Sequence, residues 1–328
     1  MPETRFIPAA ELLPAAWTSF LGAGPVRVFN PGLLDEDEGW ILAYRVVGPD
    51  GQRRIGLCRL DAEFCVRAGS PIPWSDEVRF SAGAAYPARA TSWLADPRLY
   101  RLGGRLFLHW NSGWHEPENY QFLQELDSAS LRPVGEAREL RMRSPRRPLE
   151  KNWSFFGEGP FYALYSLTPQ RLLRFSLEGR GPIEFHDFAV REWDHTAYTN
   201  AYGELRGGTP PQRVGPDYFG IGHSVFGTPE NYRYVAAAYR FEATAPFRLT
   251  AGPAGPLALG PAVGGERSHP PLNPAIAEVI YPCGAVYGGG RWVISYGVND
   301  ERCALAILPH GEILAALRPV SPSAAAGR

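Results

Sequence analysis

Five short segments hold the residues in this chain best suited to chemistry. They are Asn30-Pro31, Asp96-Pro97-Arg98, Lys151-Asn152-Trp153, Arg206-Gly207-Gly208-Thr209 and Tyr281-Pro282-Cys283-Gly284. Each precedes an apolar run, and those runs end in Arg45, Trp110, Ser166, His223 and Tyr296. A carboxylate such as Asp96 can act as general acid or base. Arg45, Arg98, Lys151, Arg206 and His223 are side chains that hold anionic oxygens. Lys151 is the only lysine among 33 basic residues. An ammonium is a compact, strongly hydrated point charge that arginine does not copy. Lys151 is therefore a candidate anion ligand, with chance survival on a solvated loop as the bland alternative.

The elements that must position these residues follow from a repeat. The apolar runs are Gly39–Arg45, Gly104–Trp110, Pro160–Ser166, Asp217–His223 and Gly290–Tyr296. They recur at roughly 55 to 75 residues, near or above the period of propeller blades. Four are followed by a further strand-like run, as in RRIGLCRL, RLLRFSL, YRYVAAAYRFEA and CALAILP, and the second less clearly by YQFLQELD. Strand, turn, strand, turn, strand, five times over, predicts an all-β, five-bladed β-propeller with a central funnel. The 36 glycines and 32 prolines supply its turns. Innermost strands line such a channel, so the five segments are expected at the funnel and the run ends beside them. The propeller is expected over 25–318, with an arm at 1–24 that packs on it or closes the ring, and a frayed tail at 319–328. Ala9–Leu21 is a candidate short helix.

Composition excludes other classes. Hydrophobic residues make up 45% and charged residues 20%, which suits a globular chain. A formal net charge of −1 gives no basic surface for nucleic acid or an anionic membrane. No run approaches the roughly 18 apolar residues of a membrane span, and no secretory leader is visible. Cys58, Cys65, Cys283 and Cys303 form no C-x-x-C pair and read as reduced thiols of a cytoplasmic protein. His and Cys never cluster at zinc-ligand spacing.

The segments resemble glycoside hydrolase family 130, the β-mannoside phosphorylases and hydrolases. NPGLLDEDEGWILAYR is similar to that family's first blade and LADPRLYRLGGRLFLHW to its E-D-P-R segment. EKNWSFF resembles its phosphate-binding lysine segment, GIGHS its histidine segment, and YPCGAVYGGGRWVISYGVND its last-blade motif. The resemblance implies a glycoside phosphorylase with Asp96 as general acid and inorganic phosphate as co-substrate, and with no other cofactor or metal. It implies that Arg98 and Lys151 face anionic oxygens, that His223 touches phosphate or sugar, and that Asp300 holds sugar hydroxyls. The place of the other funnel residues in the repeat adds Arg206 to the expected phosphate ligands, and Asn30, Arg45, Arg98, Trp110, Asn152, Arg206, Tyr281 and Tyr296 to the expected contacts with an oligosaccharide or glycoside. Ala95 and Asn152-Trp153 depart from the family pattern, which keeps glycosyl transfer open.

Glycoside cleavage normally uses two carboxylates flanking the bond. A phosphorylase needs one acid, since phosphate is the nucleophile, and it needs cations to hold that phosphate. One central carboxylate among several cations favours phosphorolysis over hydrolysis. Blander readings stand beside each residue. Asp96 can cap a turn before Pro97, Arg98 can be its structural partner, His223 can be a core histidine, and Asp300 can close a turn. Arg143, Arg146 and Arg147 read as a solvated loop. Trp110, Trp114 and Trp153 are blade core or, for at least one, a platform for a sugar ring. A non-catalytic propeller that binds sugar or a protein is the alternative from outside enzymology.

Overall fold

The computed structural model describes residues 2–20, 22–113, 119–144, 150–260 and 267–320. Trp114, Arg146 and Arg147 lie outside them. The chain runs as successive antiparallel ladders. After β1 (Glu3–Ile7), the first unit comprises β2 (Arg27–Glu36), β3 (Gly39–Val47) and β4 (Arg53–Leu60). The second is β5 (Ala95–Leu102), β6 (Arg105–Asn111), β7 (Gln121–Leu126) and β8 (Arg138–Met142). The third is β9 (Ser154–Phe156), β10 (Phe161–Leu167), β11 (Gln170–Phe175) and β12 (Ile183–Arg191). The fourth is β13 (Gln212–Val214), β14 (Asp217–Thr228), β15 (Asn231–Glu242) and β16 (Leu249–Pro253). The fifth is β17 (Ile276–Gly288), β18 (Arg291–Val298) and β19 (Arg302–Pro309). The chain is mostly β, as its alternating pattern requires.

Parallel pairing of β8 with β12 and of β15 with β17 merges these units into sheets of three, eight and nine strands. The N-terminal arm is itself a strand: β1 pairs with β19, Glu3 opposite Ile307. β20 (Leu317–Pro319) pairs with β16, so order extends into the expected tail. The expected helix at Ala9–Leu21 is broken. An α-turn covers Ala9–Leu12 and a 3₁₀ segment covers Ala15–Phe20, with Leu13 extended between them. Pro14 enforces this, because the residue before proline is driven out of the helical region.

Among the described residues, hydrophobic cores lie between all neighbouring units. One joins the first and second through Ile41, Leu57, Leu99 and Trp110. The next joins second and third through Phe107, Leu123, Phe155 and Phe185. Phe156, Leu164, Tyr218 and Phe241 join third and fourth. Ile221, Ala238, Trp292 and Ile294 join fourth and fifth. Leu42, Tyr44, Val293 and Leu305 join fifth to first. Each sheet unit thus buries both faces against sequence neighbours, and the last neighbour of the fifth unit is the first.

Candidate functional site

The site is built at interruptions in the ladders. Pairing of β2 with β3 shifts register between Phe29 and Gly32, and that of β5 with β6 between Ala95 and Arg98. The residues bulged out include Asn30 and Asp96, with φ of 52° and 53°. Asn152, just before β9, has φ of 70°. Left-handed backbone disfavours most side chains but admits Asn and Asp. Bulges also re-aim side chains, commonly beside active sites. Residue type and backbone geometry therefore agree at three successive units. Gly297 completes the arrangement in the fifth, since a Cβ there would collide with Asn30 Oδ1.

These side chains meet. Asn30 Nδ2 donates to Asp96 Oδ1 at 2.8 Å. Tyr281 Oη lies 3.2 Å from Asp96 Oδ2 and 2.5 Å from Asn152 Oδ1. Arg98 Nη2 donates to Asn152 Oδ1 at 3.1 Å, and its Nε donates to the Gly208 carbonyl. Arg45 Nη1 approaches Asp96 Oδ1 at 3.7 Å. All five units contribute to this one polar cluster.

Arg98 has 0% exposure. It ties the second, third and fourth units together through Nη2 and Nε, while its buried Nη1 has no hydrogen-bond partner among the described residues. Asn30, Asp96, Asn152, Tyr281 and His223 are also buried. Arg45, Lys151, Arg206 and Asp300 stay partly exposed. Lys151 is placed by a second polar chain. His109 Nε2 shares a 2.9 Å hydrogen bond with Gln121 Oε1, and Gln121 Nε2 donates to the Glu150 carbonyl at 2.7 Å.

Burial alone would raise the pKa of Asp96, but Lys151, Arg45 and Arg98, with the Asn30 hydrogen bond, hold it down to about 2. Asp96 is therefore a carboxylate in the unliganded protein. Burial lowers the pKa of Lys151; Asp96 opposes this, while Arg206 and Arg45 add to it. Burial raises that of Asp300 despite Arg45 and Lys151. Burial, Arg206, Lys151 and Arg98 together push His223 well below its ordinary value. His223 is thus neutral, which corrects its expected place among the cations. Its ring has 0% exposure, packs 4.6 Å from that of Tyr281, and has no hydrogen-bond partner at either nitrogen among the described residues. A buried polar group without a partner is uncommon.

Two expected ligand residues fall elsewhere. Trp110 is fully buried, 5.1 Å from Trp74 and 5.4 Å from Phe122. Tyr296 is fully buried, with its hydroxyl on the Leu259 carbonyl at 2.5 Å. For Trp110 the cause is a register slip of one residue. Arg45 faces Phe29, Asn111 faces Ala95 and His223 faces Arg206. Trp110 precedes Asn111, and one step along a strand points a side chain to the other face. Tyr296 faces Pro282, the last pair before the register shift in the fifth ladder, and packs into the core between the fourth and fifth units. Asn111 is the residue missed; its Nδ2 reaches the Ala95 carbonyl at 3.3 Å. Counting the alternation back from the bulge would have found it. Trp153 is likewise core, packed on Tyr165 and Phe185. Arg143 is exposed, at 3.7 Å from Glu184.

Beside the cluster, between the third and fourth units, lies a cavity of about 400 Å³. Its walls include Glu150, Lys151, Tyr165, Ser166, Glu204 and Arg206.

No family model matches the chain, and neither does any curated protein sequence. Solved structures do. β-1,2-Mannobiose phosphorylase from Listeria innocua, in complex with β-1,2-mannobiose, matches with a TM-score of 0.64 at 16% identity, over 96% of this chain and 99% of that one. This chain has the fold of the GH130 mannoside phosphorylases. A second match is a structure described for that family as containing glycoside hydrolases that target β-1,2-mannosidic linkages in Candida mannan. Its TM-score is 0.61 at 13% identity, over 90% and 86% of the chains. MPT-1, a GDP-Man-dependent mannosyltransferase from Leishmania mexicana, gives 0.56 at 11% identity, over 99% and 91%. A GH130-like fold thus accommodates phosphorolysis, hydrolysis and transfer, and the choice among them rests on the site.

Proposed function

We propose that this chain is a carbohydrate-active enzyme, a glycoside phosphorylase for β-mannosides or related glycosides, built as five blades around a central funnel. The five cores that link each unit to the next, and the last to the first, support the blade count. One observation carries the activity. A single buried carboxylate, oriented by Asn30 and Tyr281, shares its cluster with Lys151, Arg45 and a buried His223 whose ring nitrogens have no partner.

In this reading phosphate binds where Lys151, Arg206 and His223 converge. Its negative charge offsets the cations that keep Asp96 ionised, so the carboxyl gains a proton as the anion enters. Asp96 then protonates the leaving oxygen, directly or through a sugar hydroxyl. Phosphate attacks the anomeric carbon from the opposite face, and the products are a sugar 1-phosphate and the released sugar. Neutral His223 contributes as a hydrogen-bond donor. Arg45 and Asp300 hold sugar hydroxyls at the partly open edge of the cluster.

The test is phosphate-dependent release of a sugar 1-phosphate across a panel of mannosides, starting with β-1,2-mannobiose. Equal turnover without phosphate replaces phosphorolysis with hydrolysis. Turnover only with a nucleotide-activated sugar replaces it with glycosyl transfer. Sugar binding without turnover in any arm leaves a binding propeller.

A further inference from the structure

We infer that an arginine cluster on the first-unit side of the polar cluster, Arg27, Arg53 and Arg89 around Trp93, is a second anion site, and that it takes an anionic substituent, a phosphate monoester or a carboxylate, carried by the glycoside itself. This rests on the reading of the polar cluster as the place where a glycoside binds.

One face of the first sheet changes character along its length. Ile41, Ala43, Ile55 and Leu57 pack into the core shared with the second unit. Further along the same face stand arginines. Arg27 and Arg53 each lie opposite Val47, and Arg45 lies two residues before Val47 on β3. Directly paired residues, and residues two apart on a strand, share a face. Three strands thus bring three guanidiniums to one place. A fourth comes from the second unit's side. The short helix Ala88–Ser92 leads into Trp93, which pairs with Arg53 in a parallel bridge. The Arg53 guanidinium lies 3.6 Å from the centre of the Trp93 ring, and that of Arg89 lies 5.1 Å from it.

The charges at this place are unbalanced. Among the described residues, none of Arg27, Arg53 and Arg89 forms an ion pair. The Nε atoms of Arg27, Arg45 and Arg53 are buried without a hydrogen-bond partner among those residues. Cation–π contact explains why two guanidiniums sit on Trp93. It does not explain four like charges gathered together. Burial, Arg45, Arg89 and Arg27 hold the pKa of Arg53 down to about 10, with Asp300 opposing them. The Asp300 turn lies beside β2, since Val28 N donates to the Glu301 carbonyl at 3.2 Å. One carboxylate against four arginines leaves an excess of positive charge that an anion would relieve. The planar guanidinium fork suits the oxygens of phosphate and carboxylate.

Arg45 joins this site to the reacting centre. Its Nη1 is 3.7 Å from Asp96 Oδ1, and it shares the arginine face with Arg53. Diagonal neighbours on paired strands are about 7–8 Å apart. An anion among Arg27, Arg53 and Arg89 therefore adjoins a sugar held at Arg45 and Asp300. Lys151 and Arg206 belong instead to the third and fourth units, so the attacking phosphate and the substituent have separate partners.

Calorimetry with D-mannose, mannose 6-phosphate and D-mannuronate tests this. At least one of the two anions should bind about 10-fold tighter than D-mannose or more, and the tighter one names the source of the charge. Arg89→Ala changes an exposed side chain and should weaken that anion about fivefold, Arg53→Ala more, with D-mannose altered by about twofold at most. Lys151→Ala should leave the anion within about twofold. The reverse pattern, loss with Lys151→Ala and none with the arginine variants, would place the anion at the nucleophile site and overturn the proposal. Equal affinity for D-mannose and both anions would also overturn it. So would tighter binding of GDP than of either sugar anion, which would assign the arginines to a nucleotide donor. Binding is read here without turnover. Absence of phosphate-dependent turnover fails the functional reading and leaves this test standing, whereas loss of anion preference fails this proposal alone.

Discussion

The bulged starts of the first strands and the ends of the second strands lie side by side, yet they are organised by different physics. At Asn30, Asp96 and Asn152 the chain leaves its ladder, adopts left-handed backbone and turns a short polar side chain into a shared hydrogen-bond network. At Tyr44, Trp110 and Tyr296 pairing with the third strand of the unit stays regular, and period-two alternation carries large rings into the cores between units. A single residue after Tyr44 and Trp110, Arg45 and Asn111 return to the polar side. The polar cluster sits where pairing with the first strand fails, and the packed rings sit beside it.

That contrast predicts opposite phenotypes. The largest effect belongs to Asp96→Asn, which keeps the shape of the side chain and removes its acidity. Turnover should fall about 10²- to 10⁴-fold, with a native circular dichroism spectrum. Near-wild-type turnover would end the case for Asp96 as the acid. Trp110→Ala should do the reverse. It empties a packed site among Trp74, Phe80 and Phe122 and should cost about 3–5 kcal/mol in urea unfolding. The KM of the protein that remains folded should be unchanged. A changed KM at constant stability would return Trp110 to the substrate. Lys151→Ala should act mainly on phosphate, raising its KM by about 10-fold with a smaller loss in kcat at saturating phosphate; equal loss in both would make Lys151 a partner of Asp96 alone.

The same contrast explains what the sequence made legible. The repeat is a pattern of apolar runs and turns, so the all-β architecture and the five polar segments could be read from it. Asn30, Asp96, Arg98, Asn152 and Tyr281 meet through hydrogen bonds, and register shifts mark the first, second and fifth of these segments. The run end was misread at Trp110, because a bulge in the partner strand changes the count by a residue and no propensity marks it. Arg98 was only half legible. Two acceptors from other units, Asn152 Oδ1 and the Gly208 carbonyl, hold its Nη2 and Nε, and neither is visible as a partner in sequence. His223 looked cationic because its charge depends on burial and on three basic neighbours distant in sequence, Arg206, Lys151 and Arg98.

The smallest predicted effect compares one carboxylate from each region. Asp96 sits in a first-strand bulge, and Asp300 in the turn after β18, with φ of 55°. The pKa of Asp96 is depressed to about 2 by Lys151, Arg45 and Arg98 against the cost of burial. Its ionised form thus stabilises the fold above its ordinary value of 3.8, and that contribution is lost as pH falls from there toward 2. A shift of this size corresponds to about 2 kcal/mol. Asp300 has the opposite sign. Burial raises its pKa, so its contribution is present below the ordinary carboxylate value and disappears as pH rises through the raised one. At pH 7, Asp96→Asn should therefore lower unfolding stability, whereas Asp300→Asn should leave it unchanged or raise it. At pH 3 to 4 both differences from wild type should shrink. Urea unfolding of the three proteins at pH 7 and pH 4 measures this directly. If Asp300→Asn destabilises at pH 7 as much as Asp96→Asn, then Arg45 and Lys151 stabilise both carboxylates alike, and the electrostatic distinction between bulge and turn does not hold.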